Sequence, residues 1–180
     1  NDNFSSGMVK YVGHEIRAVI MNKIEMDVRD TVLLANAESI AVEASMVAYE
    51  GVVIAAERDA GSLRTMEENA SKFGTHNIEI IPEITVEALE KLPTPRLAFI
   101  VAQKSTIEND IVTLLKVNPK IKFIIYTLEL DILADIKYLM KKHGVDVTEV
   151  MQIAVSKVDK NGVFVAQPAP WMITCEVKEK

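Results

Sequence analysis

Glu57 is the residue whose type and position most clearly indicate a binding site in this chain. It ends the apolar run 51–57, "GVVIAAE", about 20 residues after the end of the preceding apolar run 31–35, "TVLLA". In nucleotide-binding folds an acid at that offset accepts hydrogen bonds from ribose hydroxyls. We therefore predict that Glu57 holds the ribose of an adenosine compound. The alternative is a surface acid that pairs with its neighbour Arg58.

The loop after the first apolar run is the second candidate. It reads "ANAES" (35–39) and contains no glycine. Loops whose backbone contacts a cofactor commonly use glycine, because a side chain would fill the space and because a positive φ costs other residues about 1–2 kcal/mol. Three of the loop's side chains are small, and Asn36 tolerates the left-handed conformation. The loop therefore lacks the usual glycines, but its side chains need not fill the space that a ligand would occupy.

Apolar runs alternate with amphipathic segments along most of the chain. This alternation predicts a parallel sheet whose strands are buried on both faces by helices. The predicted strands are 31–35, 51–57, 78–82, 97–102 and 122–127, and the predicted helices are 13–26, 38–49, 59–73, 85–91, 106–116 and 129–143. Within helix 59–73, we expect Leu63, Met66, Ala70 and Phe73 to be buried and Gly74 to end the helix.

The pattern changes after Gly144. The segment 146–178 reads as two longer strands joined by "DKNG" (159–162), in which the Asn-Gly pair is a strong hairpin signal. A mostly parallel sheet that ends in an antiparallel hairpin is the layout of the Rossmann-like class I S-adenosylmethionine-dependent methyltransferases. The predicted fold class is therefore α/β, with a mostly parallel seven-stranded sheet and a C-terminal antiparallel hairpin.

Composition narrows the class of protein. The 180 residues carry a formal net charge of −6 and are 49% hydrophobic, so we expect one domain over 1–180, with no nucleic-acid and no membrane partner. The single cysteine, Cys175, cannot form an internal disulfide, which favours a cytoplasmic location. The histidine spacings do not predict a metal site. The chain begins with Asn1, which favours a C-terminal part of a longer protein.

Four stretches resemble a known family. They are "HEIRAVIMNKIEM" (14–26), "VVIAAERDAGSLRTMEENASKFGTHNIEIIPE" (52–83), "EALEKLPTPRLAFIVA" (87–102) and "FVAQPAPWMI" (164–173). Together they are similar to the precorrin-6B (precorrin-6Y) C5,15-methyltransferase family, in its decarboxylating C15-methyltransferase module of cobalamin biosynthesis. The resemblance implies transfer of a methyl group from S-adenosylmethionine to a corrin precursor, which is a tetrapyrrole. It also implies a homo-oligomer, typically a tetramer.

The same resemblance implies a set of site residues. The cofactor contacts would be Ala35, Asn36, Ala37, Ser39, Glu57, Arg58, Ile84, Val101 and Ala102. Arg17 and Lys104 would meet carboxylates of the tetrapyrrole, although isolated charges of this kind are more often simply solvated. Tyr126, which ends its strand, would line the same crevice. No catalytic residue is identified, and family members need no metal.

The chain departs from the family pattern at three edges of that site. The glycine loop becomes residues 35–39, the Thr-Lys pair before the first helix becomes Val12-Gly13, and a glycine pair becomes Val101-Ala102. Leu34 stands where the family has the acid that receives the cofactor's ammonium, and Glu38 places negative charge near the cofactor's carboxylate. Loss of three or four hydrogen bonds of about 1 kcal/mol each would weaken binding by about two to three decades.

Three interpretations therefore remain open. The first is an active methyltransferase with a divergent loop. The second is a catalytically degenerate binding or structural module that keeps the fold and has weak or no cofactor binding. The third is a protein that binds another adenosine compound through Glu57, without a methionine end to accommodate.

Overall fold

A computed structural model describes residues 13–179 of the chain. Its elements are α1 (His14–Ile24), β1 (Thr31–Ala35), α2 (Glu38–Val47), β2 (Val52–Ala56), α3 (Ala60–Phe73), β3 (Ile78–Ile81), α4 (Val86–Leu89), β4 (Leu97–Val101), α5 (Ile107–Val117), β5 (Lys122–Thr127), α6 (Leu130–Lys142), β6 (Val145–Gln152), β7 (Ser156–Val158), β8 (Phe164–Ala166) and β9 (Trp171–Val177). Every predicted helix and strand up to residue 143 is present, with ends that agree within a few residues. The α/β class predicted from the sequence is confirmed.

Seven strands form one sheet in the order β3-β2-β1-β4-β5-β9-β6. The pairs from β3 to β5 are parallel, and β9 runs antiparallel to both β5 and β6. The chain moves outward from β1 to β2 and β3, and then returns to the other side of β1 to add β4. This reversal of direction opens a crevice at the carboxyl ends of β1 and β4, which is where open α/β sheets bind ligands.

Apolar side chains cover both faces of the sheet. One buried cluster joins the sheet to α1, α2 and α3, and the other joins it to α4, α5 and α6. Adjacent strand residues such as Leu33 and Leu34 are therefore both buried, although they face opposite layers. This arrangement explains why the central strands are continuous apolar runs in the sequence. The helices packed on both faces also hold the carboxyl ends of β1 and β4 in position.

The C-terminal hairpin differs from the prediction. The "DKNG" turn joins β7 to β8, which pair as a separate two-stranded sheet, and this small hairpin is inserted between the long antiparallel strands β6 and β9. The Asp159 carboxylate accepts hydrogen bonds from the N–H groups of Asn161 at 2.8 Å and Val163 at 3.0 Å. Gly162 adopts a left-handed φ of 75°. The Asn-Gly pair does form a turn, but this turn joins the short strands β7 and β8 and not the long strands β6 and β9.

Helix α3 is less buried than predicted, because Leu63 and Ala70 are half-buried and Phe73 is exposed. Met66 is buried and Gly74 ends the helix at a left-handed φ of 64°, as expected. Phe73 is instead 54% exposed. It is the last residue of the helix and lies beyond the positions that pack on the sheet. The helical period alone does not show where along its length a helix stops touching the core.

Candidate functional site

Glu57 immediately follows β2, and only 3% of its surface is exposed. Its backbone N–H donates to the Ile81 carbonyl at 3.0 Å, which extends the pairing of β2 with β3. A position at the carboxyl end of a parallel strand, one strand away from the reversal of strand order, places the carboxyl group at the edge of the crevice. The alternative of a surface acid is therefore wrong. The predicted role as a ribose acceptor stays a prediction.

Burial raises the pKa of Glu57 from its ordinary value of 4.5 to about 7. The Asp59 backbone N–H donates to Oε1 at 3.4 Å, which favours the charged form and lowers the pKa. The negative charges of Glu38 and Asp59 raise the pKa further, and the positive charge of Arg58 lowers it. A buried carboxyl that receives one long hydrogen bond from the described part of the chain is poorly satisfied by it. It is suited to accept hydrogen bonds from a ligand's hydroxyl groups.

Arg58 does not pair with Glu57. Its Nη2 donates to Asp110 Oδ1 at 2.6 Å, and its Nη1 donates to Oδ2 at 3.3 Å. Asp110 lies on α5 and is fully buried. Burial raises the pKa of Asp110, and the Arg58 guanidinium opposes that rise. The ion pair fixes the end of β2 to α5, so Arg58 holds the backbone beside Glu57 in place.

Asp110 was missed by the sequence analysis. The sequence does contain a signal for it, which is an acid among the apolar positions of one helix face. The buried side of α5 includes Ile107, Asp110, Ile111 and Leu114. An ionisable group at such a position requires a partner. The partner lies 52 residues away in the sequence, so the pair itself had no local signature.

The glycine-free loop has the conformation that the sequence allowed. Asn36 adopts a left-handed φ of 57°, and its backbone N–H donates to the Ala56 carbonyl at 2.9 Å. Its side-chain Nδ2 donates to the Val101 carbonyl at 3.2 Å. Asn36 is 7% exposed, and its Oδ1 accepts no hydrogen bond from the described residues. The prediction that Asn36 tolerates this conformation is confirmed.

The other loop residues lie close around Asn36. Ala35 and Ala37 are buried on opposite faces of the sheet. Ala37 is the N-cap of α2 and provides no side-chain hydrogen bond, and Glu38 stands in the first turn of that helix. The Ser39 hydroxyl is buried and has no hydrogen-bond partner in residues 13–179. Two orphaned polar atoms, Asn36 Oδ1 and Ser39 Oγ, therefore occur within four residues of each other.

The remaining predicted cofactor contacts are apolar and buried. Val101 ends β4, and the N–H of Ala102 donates to the Tyr126 carbonyl at 3.0 Å. Ile84 belongs to the cluster beneath α4, α5 and α6. Leu34, which stands where the family has an acid, is 1% exposed within the opposite cluster. The structure thus joins Asn36 directly to Val101 and leaves Leu34 in the core.

The predicted substrate residues do not form one cluster. Arg17 on α1 pairs with Glu43 on α2, with Nε 3.7 Å from Oε2. Lys104 lines a cavity of about 210 Å³ between α5 and α6, with its Nζ 3.2 Å from Asp131 Oδ2. Tyr126 is 3% exposed in the other apolar layer. Its ring packs against that of Phe99, and its predicted place at the crevice stays a prediction.

Two other kinds of functional site are a cluster of metal-ligating side chains and a reactive thiol. In the part of the chain that is described, no three His, Cys, Asp or Glu side chains are placed to hold a metal ion. Cys175 is buried, and burial raises its pKa to about 12. Among the predicted cofactor contacts, the polar side chains that the described residues leave partly or wholly unsatisfied are those of Asn36, Ser39 and Glu57.

Strand order, helices on both faces and a buried acid at the end of β2 define a class: the chain has the Rossmann-like fold of class I S-adenosylmethionine-dependent methyltransferases. Residues 9–177 match the model of the precorrin methyltransferase domain. The chain belongs to that family, as its sequence predicted.

Solved structures support the same fold. The precorrin-6y C5,15-methyltransferase of Geobacter metallireducens GS-15 has a TM-score of 0.84 at 24% identity, over 99% of this chain and 96% of that one. The precorrin 8W decarboxylase of Methanobacterium thermoautotrophicum has a TM-score of 0.77 at 19% identity, over 93% and 92%. A SAM-dependent O-methyltransferase of Thermotoga maritima has a TM-score of 0.71 at 13% identity, over 94% and 68%. No curated protein matches the sequence.

Proposed function

We propose that the chain transfers a methyl group from S-adenosylmethionine to a precorrin-type tetrapyrrole, with the adenosine end of the cofactor held at Glu57. The observation that carries the proposal is the buried carboxyl of Glu57 at the end of β2, to which residues 13–179 offer one hydrogen-bond donor, at 3.4 Å. The family description supports the substrate class. So do the printed names of two similar structures, a precorrin-6y methyltransferase and a precorrin 8W decarboxylase.

The residues of the crevice fit the adenosine end of the cofactor. The two ribose hydroxyls are donors, and the Glu57 carboxyl offers acceptors to which the described residues donate one long hydrogen bond. The loop offers a different chemistry. The orphaned Oδ1 of Asn36 can accept a hydrogen bond from an ammonium group. It replaces the missing acid at Leu34 as the acceptor for that part of the cofactor.

The cofactor supplies, when bound, an electrophilic methyl group on a sulfonium. The chain's own residues bind and orient the reactants, which is the main source of catalysis when no strong acid or base is needed. The proposed apolar contacts of the cofactor are five buried residues: Ala35, Ala37, Ile84, Val101 and Ala102. Arg17 and Lys104 are the proposed carboxylate partners of the tetrapyrrole, and each would exchange its present acidic partner for a substrate carboxylate.

We also propose that copies of the chain assemble, as a dimer or tetramer, through the β7–β8 hairpin. Val158, Val163, Phe164 and Val165 on this hairpin are all exposed, and exposed apolar clusters mark contact surfaces. No helix in residues 13–179 is long and apolar enough to cross a membrane. We further propose a one-domain cytoplasmic protein without a nucleic-acid or membrane partner, a proposal that the single buried thiol and the net charge of −6 support.

The test is a calorimetric titration of the purified chain with S-adenosylmethionine, up to millimolar ligand. We expect saturable binding that is weakened at least about tenfold in Glu57→Ala, because hydrogen bonds to a charged group are worth about 1.5–3 kcal/mol each. Glu79→Ala, on an exposed position of β3, is the matched control and should bind like the wild type. Absence of binding, or equal binding by Glu57→Ala, contradicts the proposal.

A second assay tests the reaction. The chain is incubated with S-adenosylmethionine and a precorrin, and the tetrapyrrole is analysed by mass spectrometry. The proposal predicts a gain of one methyl group per turnover. A tetrapyrrole that is unchanged while S-adenosylmethionine binds would support the catalytically degenerate alternative.

A further inference from the structure

Three buried polar atoms near the start of α2 have no hydrogen-bond partner in the described part of the chain. They are the Nε of Arg17, the Oδ1 of Asn36 and the Oγ of Ser39. Asn36 and Ser39 belong to the loop and first helical turn that follow β1, whereas Arg17 belongs to the neighbouring helix α1. A buried polar atom without a partner costs free energy. These three atoms therefore mark a place where a polar ligand group would bind.

Arg17 reaches α2 at a position close to its start. Its Nε lies 3.7 Å from Glu43 Oε2, which is too far for a hydrogen bond. Ser39 stands four residues before Glu43, so both side chains project from the same side of α2, the side that meets α1. Only one helical turn, about 6 Å, separates Ser39 from the position that Arg17 now contacts.

The direction of α1 brings Arg17 towards the crevice. Arg96 Nη2 donates to the Ile24 carbonyl at 2.9 Å and to Asp30 Oδ2 at 2.6 Å. Ile24 ends α1 and Asp30 precedes β1, so α1 ends beside the amino end of that strand. Arg17 comes seven residues before Ile24, about 10 Å along the helix, and helical side chains lean towards the amino terminus. Its guanidinium is therefore displaced towards the carboxyl ends of the strands, where the crevice lies.

The start of α2 adds backbone donors to these side chains. The first N–H groups of a helix have no partner within it and favour an anion, and the N-cap residue Ala37 offers them no side-chain hydrogen bond. With Arg17 Nε and Ser39 Oγ they form a set of carboxylate donors. Asn36 Nδ2 is held by the Val101 carbonyl at 3.2 Å, which leaves Oδ1 as an acceptor for an ammonium. Carboxylate donors beside an ammonium acceptor fit an α-amino acid group.

We propose that Arg17 and Ser39 bind the carboxylate of the cofactor's amino-acid end, beside the ammonium acceptor Asn36. The proposal rests on the proposed function and concerns the end of the ligand that does not contact Glu57. When the ligand binds, the Arg17 guanidinium exchanges its long contact with Glu43 for the ligand carboxylate. A guanidinium has five N–H donors, so Arg17 can contact a tetrapyrrole carboxylate at the same time. These side chains replace donors that a glycine loop would offer from its backbone.

The experiment compares three ligands by calorimetry. S-adenosylhomocysteine carries both the ammonium and the carboxylate, S-adenosyl-3-thiopropylamine lacks only the carboxylate, and 5′-methylthioadenosine lacks both. We expect wild-type protein to bind S-adenosylhomocysteine at least about tenfold tighter than the thiopropylamine, because hydrogen bonds between charged groups are the strong ones. Arg17→Met should remove that advantage, and Ser39→Ala should reduce it by about threefold to tenfold. Both variants should bind 5′-methylthioadenosine as wild type does.

Two further variants separate ligand binding from a structural role of the Arg17–Glu43 pair. Glu43→Gln frees Arg17, so it should bind S-adenosylhomocysteine at least as tightly as wild type, whereas a structural pair predicts the same loss as in Arg17→Met. Arg29→Met removes an exposed arginine that pairs with Glu50 at 2.7 Å, and it should leave all three affinities unchanged.

The inference is overturned if wild-type protein binds the thiopropylamine as tightly as S-adenosylhomocysteine, a result that needs no variant. It is also overturned if Arg17→Met weakens all three ligands alike, or if Glu43→Gln weakens S-adenosylhomocysteine as Arg17→Met does. Binding of 5′-methylthioadenosine by wild-type protein in those cases leaves the proposed adenosine site intact. Binding of none of the three ligands overturns the proposed function as well.

Discussion

The side-chain amide of Asn36 donates a hydrogen bond to the backbone carbonyl of Val101 across 3.2 Å, and this contact joins the carboxyl end of β1 to that of β4. The Asn36 backbone N–H donates to Ala56 at 2.9 Å, so a single residue ties three strands together. Cofactor loops commonly have glycine at such a position. Asparagine keeps the left-handed conformation and adds a contact that glycine cannot make.

The first prediction concerns the two contributions of Asn36. Asn36→Ala loses the side-chain hydrogen bond and places alanine at a positive φ, so we expect a loss of about 1–2 kcal/mol in the free energy of unfolding. Asn36→Gly loses only the hydrogen bond and should be about 1 kcal/mol more stable than the alanine variant. Urea unfolding measures both.

Glu25 is a matched control for this pair. It also has a positive φ, 51° at the C-cap of α1, and it is exposed. The difference between Glu25→Ala and Glu25→Gly measures the backbone contribution alone. If Asn36→Ala costs no more than Glu25→Ala, the contact with Val101 does not stabilise the fold.

The second prediction follows from the raised pKa of Glu57. In the folded protein this pKa is about 7, against an ordinary value of 4.5, so the folded state holds the proton more tightly. The contribution of Glu57 protonation to the free energy of unfolding is therefore fully present below about pH 4.5. It is lost as the pH rises to 7 and above, by as much as about 3 kcal/mol. Glu57→Gln cannot ionise and should escape that loss.

Urea unfolding at pH 5 and pH 8 tests this prediction. Relative to wild type, Glu57→Gln should gain stability between the two pH values, while ligand binding is weakened because the charged acceptor is gone. Glu79→Gln, on the exposed face of β3, should show no such gain. Equal pH dependence of wild type and Glu57→Gln would mean that water hydrates the Glu57 carboxyl in the folded protein and that its pKa is not raised.

The sequence predicted the fold more completely than the site. Strands buried on both faces leave continuous apolar runs, and the end of β2 places Glu57 at the crevice by position alone. The Asn36–Val101 and Arg58–Asp110 contacts join residues 65 and 52 positions apart. Such contacts depend on strand order and side-chain direction, for which a local pattern carries no signal.

Burial near the ends of elements is also hard to predict from the sequence. Phe73 ends α3, and the helical period predicts that it is buried, yet it is 54% exposed. Tyr126 lies one residue before the end of β5, and its ring centroid is 6.0 Å from that of Phe99. Its predicted place at the crevice stays a prediction, because a local pattern does not show how far a side chain near a strand end packs into the core.

The third prediction concerns the Arg58–Asp110 pair. Arg58→Met leaves the Asp110 carboxylate buried without a partner, and we expect a loss of about 3–5 kcal/mol in the free energy of unfolding. The double variant Arg58→Met with Asp110→Leu removes both charges and should recover most of that loss. Urea unfolding of wild type, both single variants and the double variant completes the cycle.

Lys104→Met supplies the comparison for that cycle. Lys104 and Asp131 form an ion pair in which both side chains are about 70% exposed, so the substitution should cost less than about 1 kcal/mol. A similar cost for Arg58→Met would show that Asp110 is protonated or hydrated in the folded protein. The pair would then not hold the end of β2.

The fourth prediction tests the proposed contact between copies. Val158 and Phe164 pair across the β7–β8 hairpin, and Phe164 is 81% exposed. A charge at Phe164 would be buried in an interface formed by this surface, so Phe164→Glu should reduce the assembly to monomers in sedimentation experiments. Tyr138→Glu, on α6 with 76% exposure, should leave the assembly unchanged. Because Phe164 is exposed within one copy, the monomer should keep its fold by circular dichroism. An unchanged oligomer in Phe164→Glu would place the interface elsewhere, and a monomeric wild type would contradict the assembly itself.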